Sequence, residues 1–138
     1  MTSGVLGPYL SAFRRYVDFR GRAGRSEYWM FVLIHLLVLA GLLGLAVWQE
    51  ALSALFSLYY LGTIVPGVAL AARRLHDTGQ SGWLQLIVFI PFGGIALLVL
   101  LLLPGERGPN RHGPDPRDAV ERPSGPDPWS TEPDWAKP

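Results

Sequence analysis

Three long apolar runs, separated by short polar or glycine-rich stretches, occupy the middle of the chain. The first, Tyr28 to Trp48, carries a strongly polar side chain only at His35, and its 21 residues would reach roughly 31 Å as a helix, matching a bilayer core of about 30 Å. The second, Leu52 to Ala72, is softened by Ser53, Ser57, Tyr59, Tyr60, Thr63 and Pro66, so one side of it should face protein; Pro66 cannot donate to the Gly62 carbonyl, and a kink is expected there. The third, Trp83 to Leu103, is broken by Gln85 and by "PFGG" at 91–94 and reads as one broken helix or as a re-entrant hairpin. A hairpin would have arms of eight or nine residues, about 12 to 14 Å of α-helix, which is short for a membrane arm, so a third crossing is expected. Neither "IHLLVLAGLLGLAV" nor "IALLVLLLL" has a polar face at helical spacing, which excludes buried helices of a soluble bundle. The first run is also too long for a signal-peptide h-region, and another span begins three residues after it.

Ahead of the first run, Tyr9, Leu10, Phe13, Tyr16 and Val17 recur at intervals of three and four, predicting an amphipathic helix on the membrane surface. Ser26 is the expected cap of the first span, with Glu27 favouring its positive end. Nine of the twelve prolines lie from Pro104 onward, among alternating charges and few aliphatic residues. No core can form there; 115–138 is expected to be disordered, with "PGERGPNRHGPDP" before it irregular but held near the membrane. The pattern predicts an all-α polytopic membrane protein. It has an amphipathic interfacial segment (1–25), a domain of three transmembrane helices (26–103, spans about 28–48, 52–72 and 83–103) and a Pro-rich, largely disordered tail (104–138).

Composition agrees with this class: 49% of residues are hydrophobic and 17% charged. A net charge of +1 gives no concentrated basic face for nucleic acid, and the absence of cysteine removes disulfides, thiolate ligands and cysteine nucleophiles. Arg14, Arg15, Arg20, Arg22 and Arg25 precede the first span and Arg73 and Arg74 follow the second, while "QEA" between those spans has no basic residue. The positive-inside rule then places the amino terminus and the 73–83 loop in the cytoplasm. A third crossing would put the tail outside, against the pull of Arg107, Arg111 and Arg117.

The chemistry concentrates in "RRLHDTGQSGW" at 73–83. If the second helix runs past Ala72, then Arg73, His76 and Asp77 share one face. His76 and Asp77 could form a base with its orienting carboxylate, but no evident nucleophile accompanies them. The structural alternative uses more of the residues: Arg73 and Arg74 snorkel to phosphates, Gly79 closes the helix in a left-handed conformation, Ser81 caps the next and Trp83 lies at the interface. Because 20–29 and 73–83 emerge on the same face, the expectation is a composite polar or headgroup site of Arg22, Arg25, Glu27, Arg73, Arg74, His76 and Asp77, with Glu27 pairing Arg73 or Arg74 and Asp77 pairing Arg22 or Arg25. His35, about 12 Å along its helix from Glu27, is an intramembrane polar residue expected to bond Ser57, Thr63 or a tyrosine of span two; a proton relay is the alternative. Three histidines in three segments, with no ligand spacing, give no metal site, and no cofactor or catalytic residue is assigned.

"FRGRAGRSEYW" at 19–29, "RRLHDTGQSGW", "IPFGG" at 90–94 and "PGERGPNRHGPDP" at 104–116 resemble, in this order, the DUF805 family of small bacterial inner-membrane proteins. The resemblance covers roughly 8–116, leaves 117–138 as an extension, and implies a multi-pass inner-membrane protein without naming an activity. The expected function is a non-enzymatic interaction or assembly component whose basic cytoplasmic face meets anionic lipid headgroups, a membrane-protein partner or further copies of the chain. The alternatives are a small oligomeric transporter or channel-like unit and, behind it, a headgroup enzyme using His76 and Asp77.

Overall fold

A computed structural model describes residues 6–118. In chain order the elements are α1 (Gly7–Arg14), α2 (Arg25–Trp48), a 3-10 turn (Glu50–Leu52), α3 (Ser53–Asp77), a 3-10 arm (Gly82–Phe89) and α4 (Gly93–Leu102), and no strand occurs among the described residues. Two helical stretches are long and apolar enough to cross a membrane: Arg25–Trp48, with mean hydropathy 2.7, and Glu50–Asp77, with 1.7. Only 6% of the most apolar window of α2 is buried, so α2 is not the core helix of a soluble bundle. Gly24, not Ser26, is its N-cap; Gly24 is extended and its carbonyl accepts from Tyr28 N–H at 3.1 Å, leaving Ser26 inside the first turn.

The packed interior is small. Ala12, Ala23, Phe31 and Leu70 are its buried apolar members, with Tyr9, Phe13, Tyr28 and Val32 against them. Pro8 starts α1, which ends at Arg14, short of Tyr16 and Val17. Its aromatic face packs on α2, with Tyr9 stacked on Phe31 at 5.4 Å between ring centroids. Tyr16, just beyond α1, donates its hydroxyl to the Gly62 carbonyl at 2.8 Å. That is the carbonyl left without its usual helical donor by Pro66 four residues on, so the strap after α1 satisfies the gap in α3.

The third apolar run does not cross as one helix. Gly82–Phe89 forms one arm and α4 the other, and the two pack against each other. Pro91, Phe92 in the left-handed region (φ 62°) and Gly93 make the turn, with Gly93 N–H bonded to Ile90 O at 2.8 Å. A Cβ on Gly93 would lie 1.6 Å from Ile87 O, so only glycine fits where the arms cross. Both outer ends of the hairpin meet the C-terminal end of α3: Gly82 faces Ala72 and His76, while Leu101 O accepts from Arg74 Nε at 3.1 Å. Eight 3-10 residues rise about 16 Å and ten α-helical residues about 15 Å, roughly half a bilayer core. The expected crossing over 83–103 is therefore corrected to a hairpin, and the chain returns to the end of α3 from which it left. Residues 104–118, of which 104–116 were expected to be irregular but held near the membrane, are folded onto that end; 119–138, expected to be disordered, lie outside the described residues.

Candidate functional site: an arginine–aspartate clamp and its clasp

The end of α3 forms the centre of the site because a stripe of that helix is buried through its last three turns, including Ala69, Leu70, Ala72, Arg73, Arg74, Leu75 and Asp77. Thr78 and Gly79 end the helix. Gly79, at φ 73°, allows Gln80 N–H to reach back to Leu75 O at 3.0 Å, and Ser81 Oγ accepts from Trp83 N–H at 3.3 Å to start the next arm.

Asp77 lies between two guanidinium groups. Arg22 donates from Nε to Asp77 Oδ1 at 3.0 Å, and Arg74 Nη1 donates to Oδ2 at 2.5 Å. The side chains of Arg22, Arg74 and Asp77 are 1%, 0% and 4% exposed, so this is a desolvated triad and not a surface pair. The remaining arginine donors go to backbone carbonyls: Arg22 to Gly108 O (2.6 Å) and Glu106 O (2.5 Å), and Arg74 to Leu101 O and Leu103 O. Two cations on one carboxylate are accommodated because carbonyl dipoles occupy the other donors.

Residues 104–118 wrap this centre as a clasp. Glu106 N–H donates to Asp77 O at 2.8 Å, Asn110 Nδ2 to His76 O at 3.0 Å and Arg111 Nη2 to Gly79 O at 2.7 Å. Within the clasp, Asp115 accepts from Gly108 N–H and from Arg117 Nε at 2.8 Å, and Arg117 Nη2 reaches Glu106 O at 2.6 Å. The Arg117 guanidinium holds the Asp115 carboxyl well below the usual carboxylate range, and Asp115 raises Arg117 in return. Gly105 passes so close to Asp77 that a Cβ would stand 1.9 Å from Oδ2.

The other expected site residues divide among different roles. His76 donates from Nδ1 to Gly21 O at 3.1 Å and stacks on His112, centroids 3.9 Å apart and rings within 3° of parallel. His112 Nε2 accepts from Arg111 Nε at 3.0 Å. Burial, followed by the nearby His76 and Arg111, keeps His112 below its ordinary value. Arg73 is fully buried; its nearest carboxylate oxygen is Glu27 Oε1 at 3.8 Å, itself bonded by Ser11 Oγ at 3.2 Å, and no side-chain nitrogen of Arg73 has a hydrogen-bond partner among the described residues. Arg25 is exposed and enters none of the ion pairs among the described residues. Burial of Arg73 and Arg74 at 0% exposure corrects the expectation that they snorkel to lipid phosphates. Asp77 does not orient His76 either, because both its oxygens are held by arginines.

His35 lies apart from this end of the bundle: its Nδ1 is 3.0 Å from Tyr59 Oη, which is 2.6 Å from Tyr9 Oη. No group of three or more potential metal-ligating side chains occurs among the described residues. Sequence reasoning missed Glu106, Gly108, Asn110, Arg111, His112, Asp115 and Arg117 as part of the site. The available signal was the density of glycine and polar residues in "PGERGPNRHGPDP", which marks turns as readily as disorder.

Comparison with known proteins agrees with the extent of this unit. The profile of a family described as a protein of unknown function (DUF805) matches residues 16–114, from the strap after α1 to the clasp. The inner membrane protein YhaI of Escherichia coli (strain K12) is 47% identical over 112 residues, covering 79% of this chain and 94% of that protein. The inner membrane protein YhaH of the same strain is 42% identical over 115 residues, covering 79% and 95%. No solved structure matches the chain.

Proposed function

Because this chain belongs to the DUF805 family, and the relatives it matches are inner membrane proteins, we propose that it is a non-enzymatic interaction or assembly component of the bacterial inner membrane that uses a basic cytoplasmic rim to hold anionic headgroups. The observation that carries this reading is the division of the arginines. Arg22, Arg73 and Arg74 are buried, and Arg22 and Arg74 are spent on Asp77 and backbone carbonyls. Arg14, Arg15, Arg20, Arg25, Arg107 and Arg111 are exposed, and they lie in the segment leading into α2, at its first residue and in the clasp. Under the positive-inside rule this end faces the cytoplasm, and α2 and α3 cross while the hairpin dips to about half depth. The occupation of Asp77 by two guanidinium groups, with His76 turned to Gly21 O, supports a structural role for this pair over an acid–base one.

Each arginine near an anionic leaflet contributes about 1 kcal/mol. Replacing Arg14, Arg15, Arg20 and Arg25 by glutamine should therefore abolish enrichment of phosphatidylglycerol over phosphatidylethanolamine around the full chain in mixed bilayers, read by lipid co-purification and native mass spectrometry, with the fold intact. Unchanged lipid composition would refute the rim. The transporter reading has one favouring observation, the His35–Tyr59–Tyr9 chain. A His35→Phe variant that loses a proton flux measured in vesicles would support it.

A further inference from the structure

Beside the clamp, between α3, the 3-10 arm and the strap after α1, lies a cavity of about 530 Å³. Its walls are chiefly Phe19, Val68, Ala72, His76, Gln85 and Leu86. The volume falls in the range of roughly 300 to 1,000 Å³ usual for sites that enclose a small ligand. Its polarity runs in one direction. His76 lies at the terminal turn of α3, and Val68, eight residues earlier, lies about 12 Å further along the helix, toward the hairpin tip. His76 uses Nδ1 on Gly21 O, which leaves Nε2 toward Gly82, where an added Cβ would stand 3.2 Å from it. Arg20, next to the Phe19 wall, is exposed.

We infer that this cavity is a binding site for one phospholipid of the arginine-rich leaflet, with an acyl chain lying between Val68 and Leu86 and the phosphate at the mouth near His76 and Arg20. Three observations select this occupant. The cavity joins the headgroup end of α3 to the apolar depth of the hairpin, so a ligand filling it must be polar at one end and apolar for about 12 Å, as a lipid is. A half-depth hairpin packed beside a full-length helix creates a cleft open to the bilayer, and acyl chains are what the bilayer supplies. One end of the cavity is polar at His76, with the exposed Arg20 next in sequence to its Phe19 wall, whereas Val68 and Leu86 make the other end apolar. The site rests on the membrane seating proposed above but not on its charge preference, since every phospholipid carries the phosphate.

The test uses the full chain in vesicles of phosphatidylethanolamine and phosphatidylglycerol doped with a phospholipid bearing a diazirine midway along one acyl chain. After irradiation, the cross-linked peptides are mapped. Val68 is 43% and Leu86 54% exposed, whereas Leu36 is 56% and Leu58 71%, so random contact with lipid would label the last two at least as strongly. The expected result is several-fold enrichment at Val68, Ala72 and Leu86, lost in Val68→Trp and in Leu86→Trp, which fill the cleft from opposite walls, while labelling of α2 stays unchanged as the control for folding. Wild-type labelling in proportion to exposure overturns the site even if both variants fail to fold, and enrichment that survives both substitutions overturns its placement. Absence of a phosphatidylglycerol preference in the wild type, with cleft labelling present, would instead count against the basic rim alone.

Discussion

Asp77→Asn removes the single negative charge between two guanidinium groups while keeping the side chain's size. In the wild type Arg22 and Arg74 are at most 1% exposed at the side chain, and both depend on this carboxylate for neutralisation. Leaving a buried ion pair without one partner costs about 3 to 5 kcal/mol. At about 1.4 kcal/mol per factor of ten, the ratio of folded to unfolded protein should fall by roughly two to four orders of magnitude. The damage should spread to the clasp, because Arg22 also holds the carbonyls of Glu106 and Gly108. Denaturant titration of the full chain in nanodiscs, followed by tryptophan fluorescence, gives the stability. Tryptic cleavage at Arg107 and Arg111 gives the opening of the clasp. Arg22→Lys, which keeps the charge but not the planar fork, should show a smaller loss and a loosened clasp. If Asp77→Asn unfolds within about 1 kcal/mol of wild type and resists trypsin equally, the buried clamp is not what holds this end together.

Gly105→Ala, whose Cβ would lie 1.9 Å from Asp77 Oδ2, should release the clasp to trypsin while leaving the helical circular dichroism of α2 and α3 in place. Exchange of charge at Glu27 and Arg73 should restore part of the accumulation lost by Glu27→Arg alone, since Glu27 is the nearest carboxylate to the buried guanidinium. The clasp should also respond to pH. His112 is held below its ordinary value of about 6.5, so the open chain takes up the proton first and the closed state is fully stable only above that pH, weakening as pH falls toward the lowered value. The depressed Asp115 likewise contributes above about pH 4, a contribution lost in stronger acid. Anisotropy of a fluorophore on a cysteine placed at Arg107 should fall between pH 7 and 5, and His112→Asn should flatten that change.

The two helices long and apolar enough to cross a membrane were legible because a 21-residue apolar run has few other uses. That Arg22, Glu27, Arg73, Arg74, His76 and Asp77 share one end of the molecule followed from counting crossings. The hairpin was hidden because length alone separates a broken span from two arms, and a 3-10 arm rises about 2.0 Å per residue where 1.5 Å was assumed. The clasp was hidden for a different reason: its ties run from Arg22, Arg117 and Asn110 to main-chain carbonyls, and an acceptor carbonyl leaves no mark in a sequence. For the same reason Arg74 looked like an interfacial anchor. The acceptors that let it be buried are Leu101 O and Leu103 O, which a full third crossing would have carried to the far side.

The central claim, that the chain turns back at Pro91–Gly93 and closes on the end it left, is open to a direct measurement because the protein contains no cysteine. Single cysteines in place of Arg20, Gln49 and Arg107, all exposed, can be labelled with a membrane-impermeant maleimide in right-side-out and in inverted vesicles. The account predicts that positions 20 and 107 react from the cytoplasmic side and position 49 from the other. Reaction of position 107 together with position 49 would contradict it.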